Sequence, residues 1–251
     1  KQSVMYYILN FKKFMSRKKA NISDEDLENQ LKPKFVVRGK RLTDKQKRFL
    51  DLCTREGVQV VFVAGPAGST KTYMAVMSAL RLLQKDDNLD LLYVRTAIES
   101  ADKGLGALPG SLEDKFNPYM APLEDKLIEL LPPTNSLKDD LVQSGRVQAM
   151  PINFLRGASW NSKVVIADES QNFSFKELVT LITRIGDNSK LFICGDPMQS
   201  DINGKSGFKP MFDLFNDEES RENGIHTFVF TEKDILRSGI LRFIVKKLKT
   251  I

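Results

Sequence analysis

The stretch Val58-Gln59-Val60-Val61-Phe62-Val63-Ala64-Gly65-Pro66-Ala67-Gly68-Ser69-Thr70-Lys71-Thr72-Tyr73 decides the fold of this chain. Residues 58–64 are almost continuously apolar and β-branched, the pattern of a parallel strand covered on both faces. From Tyr73 to Leu83 the apolar residues Ala75, Val76, Ala79, Leu80 and Leu83 recur at helical spacing. Between strand and helix lies a glycine-bearing loop. In such a loop successive backbone N–H groups turn inward as an anion nest, backed by the positive end of the following helix. Gly65, Pro66, Ala67, Gly68, Ser69, Thr70, Lys71 and Thr72, with Tyr73 just beyond, are therefore read as the residues that hold a nucleotide's phosphates. Lys71 is expected to reach the β and γ phosphates, and Thr72 to place its hydroxyl on Mg²⁺. The full pattern has a glycine before the lysine, where this chain has Thr70. Its Cβ calls for an ordinary backbone there, with Gly68 supplying the flexibility.

Working outward, further strands are expected at residues 91–94, 164–167 and 191–194, and helices over 43–53 and 175–185. Thr43-Asp44 caps the first of these helices. This alternation predicts an α/β fold, a parallel sheet with helices on both faces. Residues 1–41 read as a basic and acidic N-terminal arm and 42–251 as the folded domain. Within it, 101–140 is rich in Gly, Pro and charge and reads as an insertion or lid.

Two strand ends carry chemistry. Val164-Val165-Ile166-Ala167 runs into Asp168-Glu169, two carboxylates at the edge where a sheet of this class gathers its ligand. Asp168 suits Mg²⁺, and Glu169 suits the general base that polarises an attacking water. The next strand ends in Gly195-Asp196-Pro197-Met198-Gln199, which puts Gln199 in position to sense the γ-phosphate.

Composition narrows the alternatives. With 251 residues, 41% of them hydrophobic, the chain can bury a sizeable core. One histidine and two distant cysteines, Cys53 and Cys194, are too few soft ligands for a zinc site, so any metal is expected to be oxygen-bound. No apolar run approaches the roughly 20 residues that span a bilayer, and a cytoplasmic location with no membrane partner is expected. The formal net charge of +6 favours a polyanionic partner.

The chain resembles the PhoH family, whose core is similar to the motor domain of superfamily-one helicases. The resemblance runs over about residues 42–249. It rests on Gly65 to Tyr73, Ile98-Glu99, Leu108-Pro109-Gly110, Pro118-Tyr119, Arg156-Gly157, Asp168-Glu169-Ser170-Gln171-Asn172, Leu181 to Gly186, Gly195 to Gln199 and Gly204-Lys205-Ser206-Gly207. It departs from the family at Ser69-Thr70, at Ser170 and at Thr96, and the loop variant resembles those of phage-encoded members. What the resemblance implies is a RecA-like P-loop ATPase that binds ATP and Mg²⁺ through Walker A and Walker B segments. It also implies a homo-oligomeric ring, hexameric in the family, acting on RNA or single-stranded DNA. Gln46 stands where related helicases read adenine, Arg237 where an arginine meets the γ-phosphate, with Arg184 a second candidate, and Arg95 and Arg156 at strand and loop ends are candidates for nucleic-acid phosphates. Stacking platforms are sparse, with Trp160, Phe14 and Tyr119 the candidates. A ribonuclease and a nucleotide-gated nucleic-acid-binding module with little turnover are the competing functions.

Overall fold

The computed structural model describes residues 35–39, 41–96, 112–133, 137–155, 159–199, 202, 205–235 and 239–248. The apolar runs form strands β1 (Val60–Ala64), β2 (Asp90–Arg95), β4 (Lys163–Ala167) and β5 (Lys190–Gly195), joined by β3 (Val147–Pro151) and β6 (Ile225–Val229). All pair in parallel, in the order β3-β2-β4-β5-β1-β6. The four inner strands are those expected from sequence, whereas the two edge strands are not. Each edge strand has one strand neighbour and a mixed pattern: β3 carries Gln148 and Pro151, and β6 carries His226 and Thr227 with intermediate burial.

The α-helices among the described residues are α1 (Asp44–Thr54), α2 (Lys71–Lys85), α3 (Leu112–Leu130), α4 (Leu137–Gln143), α5 (Phe175–Ile182), α6 (Phe208–Leu214), α7 (Glu218–Glu222) and α8 (Gly239–Leu248). Strand side chains alternate between two cores. Val61 and Val63 pack with Phe49 of α1, Met74 to Leu83 of α2 and Leu123 and Leu127 of α3. Phe62, Val165 and Ile193 pack on the other face with Leu178 and Leu181 of α5 and Phe208 and Met211 of α6. The molecule is thus the α/β parallel sheet with helices on both faces that the sequence predicts. Helix α5 is shorter than expected, stopping at Ile182 because the chain turns through Thr183 to Ile185, where Trp160 N–H donates to the Arg184 carbonyl (2.8 Å).

Residues 1–34 of the expected arm lie outside the described residues, but Phe35 and Val37 are buried in the core and Arg38 N–H donates to the Leu130 carbonyl at 2.7 Å. Of the stretch 101–140, α3 presents Tyr119, Leu123, Leu127 and Leu130 to the core. Tyr119 and Trp160 are therefore buried and not placed to stack on a base, while Phe14 falls outside the described residues.

Two polar contacts mark the strand starts at the end of the sheet opposite the site. Asp90 and Lys163 are paired residues at the start of β2 and β4, and their side chains form a buried ion pair of 2.6 Å. At the entry to β6, Gly224 has φ +77°, and its carbonyl accepts from Gln59 and Val60 N–H (2.9 and 3.1 Å).

Candidate functional site

At the carboxyl ends of β1, β4 and β5 a cavity of about 680 Å³ opens. Its lining includes residues 67–73, Gln46, Arg95, Asp168, Glu169, Asp196 and Gln199. Strand order explains the convergence: β5 lies between the loop strand β1 and the acidic strand β4, so one cleft collects all three strand ends.

The loop from Gly65 to Thr70 is tightly tethered. Gly65 N–H donates to the Gly195 carbonyl (3.2 Å), and a Cβ at Gly65 would lie 2.9 Å from the Phe230 carbonyl oxygen, so only glycine fits. Ala67 N–H donates to Asp196 Oδ2 (3.1 Å), and Ser69 Oγ donates to the Pro66 carbonyl (2.7 Å). Lys71 Nζ donates to the carbonyls of Gly65 (2.6 Å) and Pro66 (3.0 Å), which holds its charge over the loop. The backbone at Thr70 departs from expectation. It is not ordinary but left-handed, with φ 69° and ψ 12°, and Gly68 is left-handed as well. The physical reason is tertiary: the Thr70 carbonyl accepts from Met74 N–H (2.9 Å) in the first turn of α2 while its hydroxyl accepts from Gln46 Nε2 (3.1 Å), contacts that hold a backbone its residue type disfavours.

Opposite the loop, Thr72 Oγ1 donates to Asp168 Oδ1 at 2.7 Å, and Tyr93 hydroxyl donates to Asp168 Oδ2. Burial, then the Asp168 charge, pushes the Tyr93 phenol well above its ordinary pKa, so it remains a donor. Glu169 has a left-handed backbone (φ 52°) that swings its half-exposed carboxylate into the cleft. There Gln171 Nε2 donates to Glu169 Oε2 (2.6 Å) while Arg95 lies 3.8 Å from Oε1. Gln171 Oε1 in turn accepts from Asp196 N–H (3.0 Å), linking the acidic strand end to the residue that tethers Ala67.

Of the residues predicted from sequence, Gln46, Ala67 to Tyr73, Asp168, Glu169 and Gln199 line one cavity, and Gly65 and Pro66 sit beneath it as acceptors for Lys71. Gln199 is exposed and its N–H donates to the Asp196 carbonyl (3.1 Å). Gln46 is buried, with both ends of its amide engaged: Oε1 accepts from Thr43 N–H (3.0 Å), and Nε2 donates to Thr70 Oγ1 (3.1 Å). Arg237 and Arg156 lie outside the described residues, and Arg184 does not line the cavity. Gln171 and Asp196 lie in segments singled out from sequence but were given no role there, and Tyr93 and the cavity wall formed by Pro122, Asp125, Lys126 and Glu129 of α3 were not foreseen. For Tyr93 the available signal was a phenol in an otherwise aliphatic stretch of strand.

Thr72 and Asp168 offer two adjacent hard oxygens. That fits Mg²⁺, which is held by one or two protein oxygens together with substrate phosphates and water.

Residues 38–249 match the family model described as PhoH-like protein. The chain is 33% identical over 213 residues to a PhoH-like protein of Mycobacterium bovis, covering 83% of this chain and 58% of that protein. To Protein PhoH of Escherichia coli it is 31% identical over 188 residues, covering 74% of this chain and 51% of that one. It thus spans a little over half the length of these relatives. Among solved structures it is similar to the Pif1 helicase from Candida albicans, with TM-score 0.36, 16% identity, and coverage of 77% of this chain and 40% of that one.

Proposed function

We propose, from the fact that this chain belongs to the PhoH-like protein family and from the site just described, that it hydrolyses ATP and couples hydrolysis to RNA or single-stranded DNA. It is a P-loop nucleotide-binding protein of the ATPase type. The observation that carries the catalytic reading is the 2.7 Å contact between Thr72 and Asp168, which joins the loop helix to the acidic strand beside Lys71. Together these groups meet the two demands of phosphoryl transfer, a positive cradle for the phosphates and oxygens for a cation. Mg²⁺, held by Thr72 and Asp168, would neutralise charge on the phosphate oxygens.

The protein's own residues divide the remaining work. Backbone N–H groups of Gly68 and of residues 70–72 and the Lys71 ammonium bind the phosphates, while the Ala67 and Ser69 amides tether the loop to Asp196 and Pro66. Tyr93 holds Asp168 in one orientation, and Gln171 holds Glu169 while it accepts the proton of the attacking water. Gln199 faces the same cleft as the γ-phosphate sensor. Arg237, supplied within the subunit or across a ring interface, completes the charge stabilisation. The net charge of +6 supports a polyanionic strand as partner, and a ring of copies, hexameric in our reading, would let single motor cores clamp it.

ATP turnover measured with and without single-stranded RNA and DNA tests this reading. Lys71→Ala is expected to lower turnover by about 10²–10³-fold through lost charge stabilisation. Glu169→Gln should lower it by about 10²–10⁴-fold, with nucleotide binding retained. Turnover unchanged by both substitutions would overturn the mechanism. RNA cleavage without ATP and by both variants would replace it with a ribonuclease, and binding without parental turnover with a nucleotide-gated switch.

A further inference from the structure

The loop residue that departs from the usual pattern poses a problem that the structure also answers. A left-handed backbone costs a non-glycine residue about 1–2 kcal/mol, and Thr70 adopts it at the residue immediately before α2. In the extended conformation that threonine normally takes at this position, its hydroxyl would accept from the second or third amide of the helix, the amides that an anion must reach. At φ 69° the hydroxyl caps nothing on α2 and accepts from Gln46 Nε2 at 3.1 Å. Gln46 has little freedom to do otherwise. The residue is 2% exposed, and its Oε1 is anchored by Thr43 N–H within the capping box that starts α1.

We infer that Gln46 is a positioning residue of the phosphate loop, which holds Thr70 in the left-handed turn and keeps the threonine hydroxyl off the first amides of α2. The inference rests on the reading of residues 65–72 as the phosphate site, and it differs from adenine reading by this glutamine. A loop with glycine at this place has no hydroxyl to hold, so the device belongs to this chain's own substitution. Its signature is that the contribution of Gln46 depends on Thr70 and not on the nucleotide's base.

The experiment is a double-mutant cycle on the full chain with two probes, ATP and inorganic tripolyphosphate, each with Mg²⁺, read as dissociation constants by calorimetry. Gln46→Ala is expected to weaken both probes by about tenfold when Thr70 is present, and by less than about twofold in the Thr70→Gly background. Thr43→Ala removes the other half of the capping box while keeping the amide donor, so it should lower Tm and leave tripolyphosphate binding near the parental value. A Gln46→Ala loss confined to ATP and equal in both backgrounds would overturn the inference in favour of adenine reading. Equal tripolyphosphate losses in both backgrounds, or a loss matched by Thr43→Ala, would reduce Gln46 to a helix cap. A parent protein that binds neither probe would overturn the phosphate reading itself, an outcome distinct from the others.

Discussion

Thr70 and Glu169 are two of the four non-glycine residues with left-handed backbone among the described residues, and both line the cavity. Strain of this kind persists where surrounding contacts over-determine it, and here the contacts come from two buried glutamines, Gln46 and Gln171. Each loop-end residue is thus held by an amide whose other end is anchored elsewhere, on Thr43 and on Asp196. A third side chain, Asp234, ties α1 to the segment after β6. Desolvation raises its carboxyl, but the Thr231 N–H, the Lys45 ammonium and the Thr231 hydroxyl outweigh it and hold the pKa below its ordinary value. A carboxyl depressed in the folded state contributes stability above its unfolded pKa of about 3.9, lost as pH falls through the lower folded value. Urea midpoints measured from about pH 7 down to pH 3 should therefore show an acid decline that is shallower in Asp234→Asn than in the parent.

At the scale of elements, the buried Asp90–Lys163 pair joins the starts of β2 and β4, and four residues along that ladder Val94 pairs with Ala167, just before Asp168. The Asp168 N–H then donates to the Val94 carbonyl at 2.9 Å. The ion pair thus sits at the start of the same ladder that, at its other end, sets Tyr93 against Asp168. Removing only the acid leaves a buried ammonium without this partner, so Asp90→Ala is expected to cost about 3–5 kcal/mol by denaturant unfolding. An apolar pair, Asp90→Leu with Lys163→Met, should recover most of that loss, because the desolvation cost disappears along with the attraction. Little or no loss in Asp90→Ala would show that register is set by the strand pairing alone.

At the scale of the whole molecule, an excess of six positive charges makes the proposed strand binding an electrostatic question and the proposed ring an assembly question. Binding to a single-stranded oligonucleotide should weaken linearly on a log–log plot against salt, with a steeper slope in a ring that contacts more phosphates. Sedimentation velocity with and without ATP, beside that titration, tests the ring, and a monomer with a full salt slope would remove ring assembly from the mechanism. Sequence by itself determined the inner sheet, because strands covered on both faces must be largely continuous apolar runs, as 60–64 and 164–167 are. It also determined the loop, Asp168 and Glu169, because residues at a strand's carboxyl end inherit their place from the strand. It missed β3 and β6, since an edge strand with one strand neighbour need not be apolar throughout. Only the tertiary structure decided strand order, and with it that Tyr93 reaches Asp168 and that Gln171 bridges Glu169 to Asp196, contacts between residues up to 75 positions apart. It alone decided the backbone of Thr70. Residue type favours ordinary angles there, and the opposite choice depends on a glutamine 24 positions away that local sequence does not place beside it.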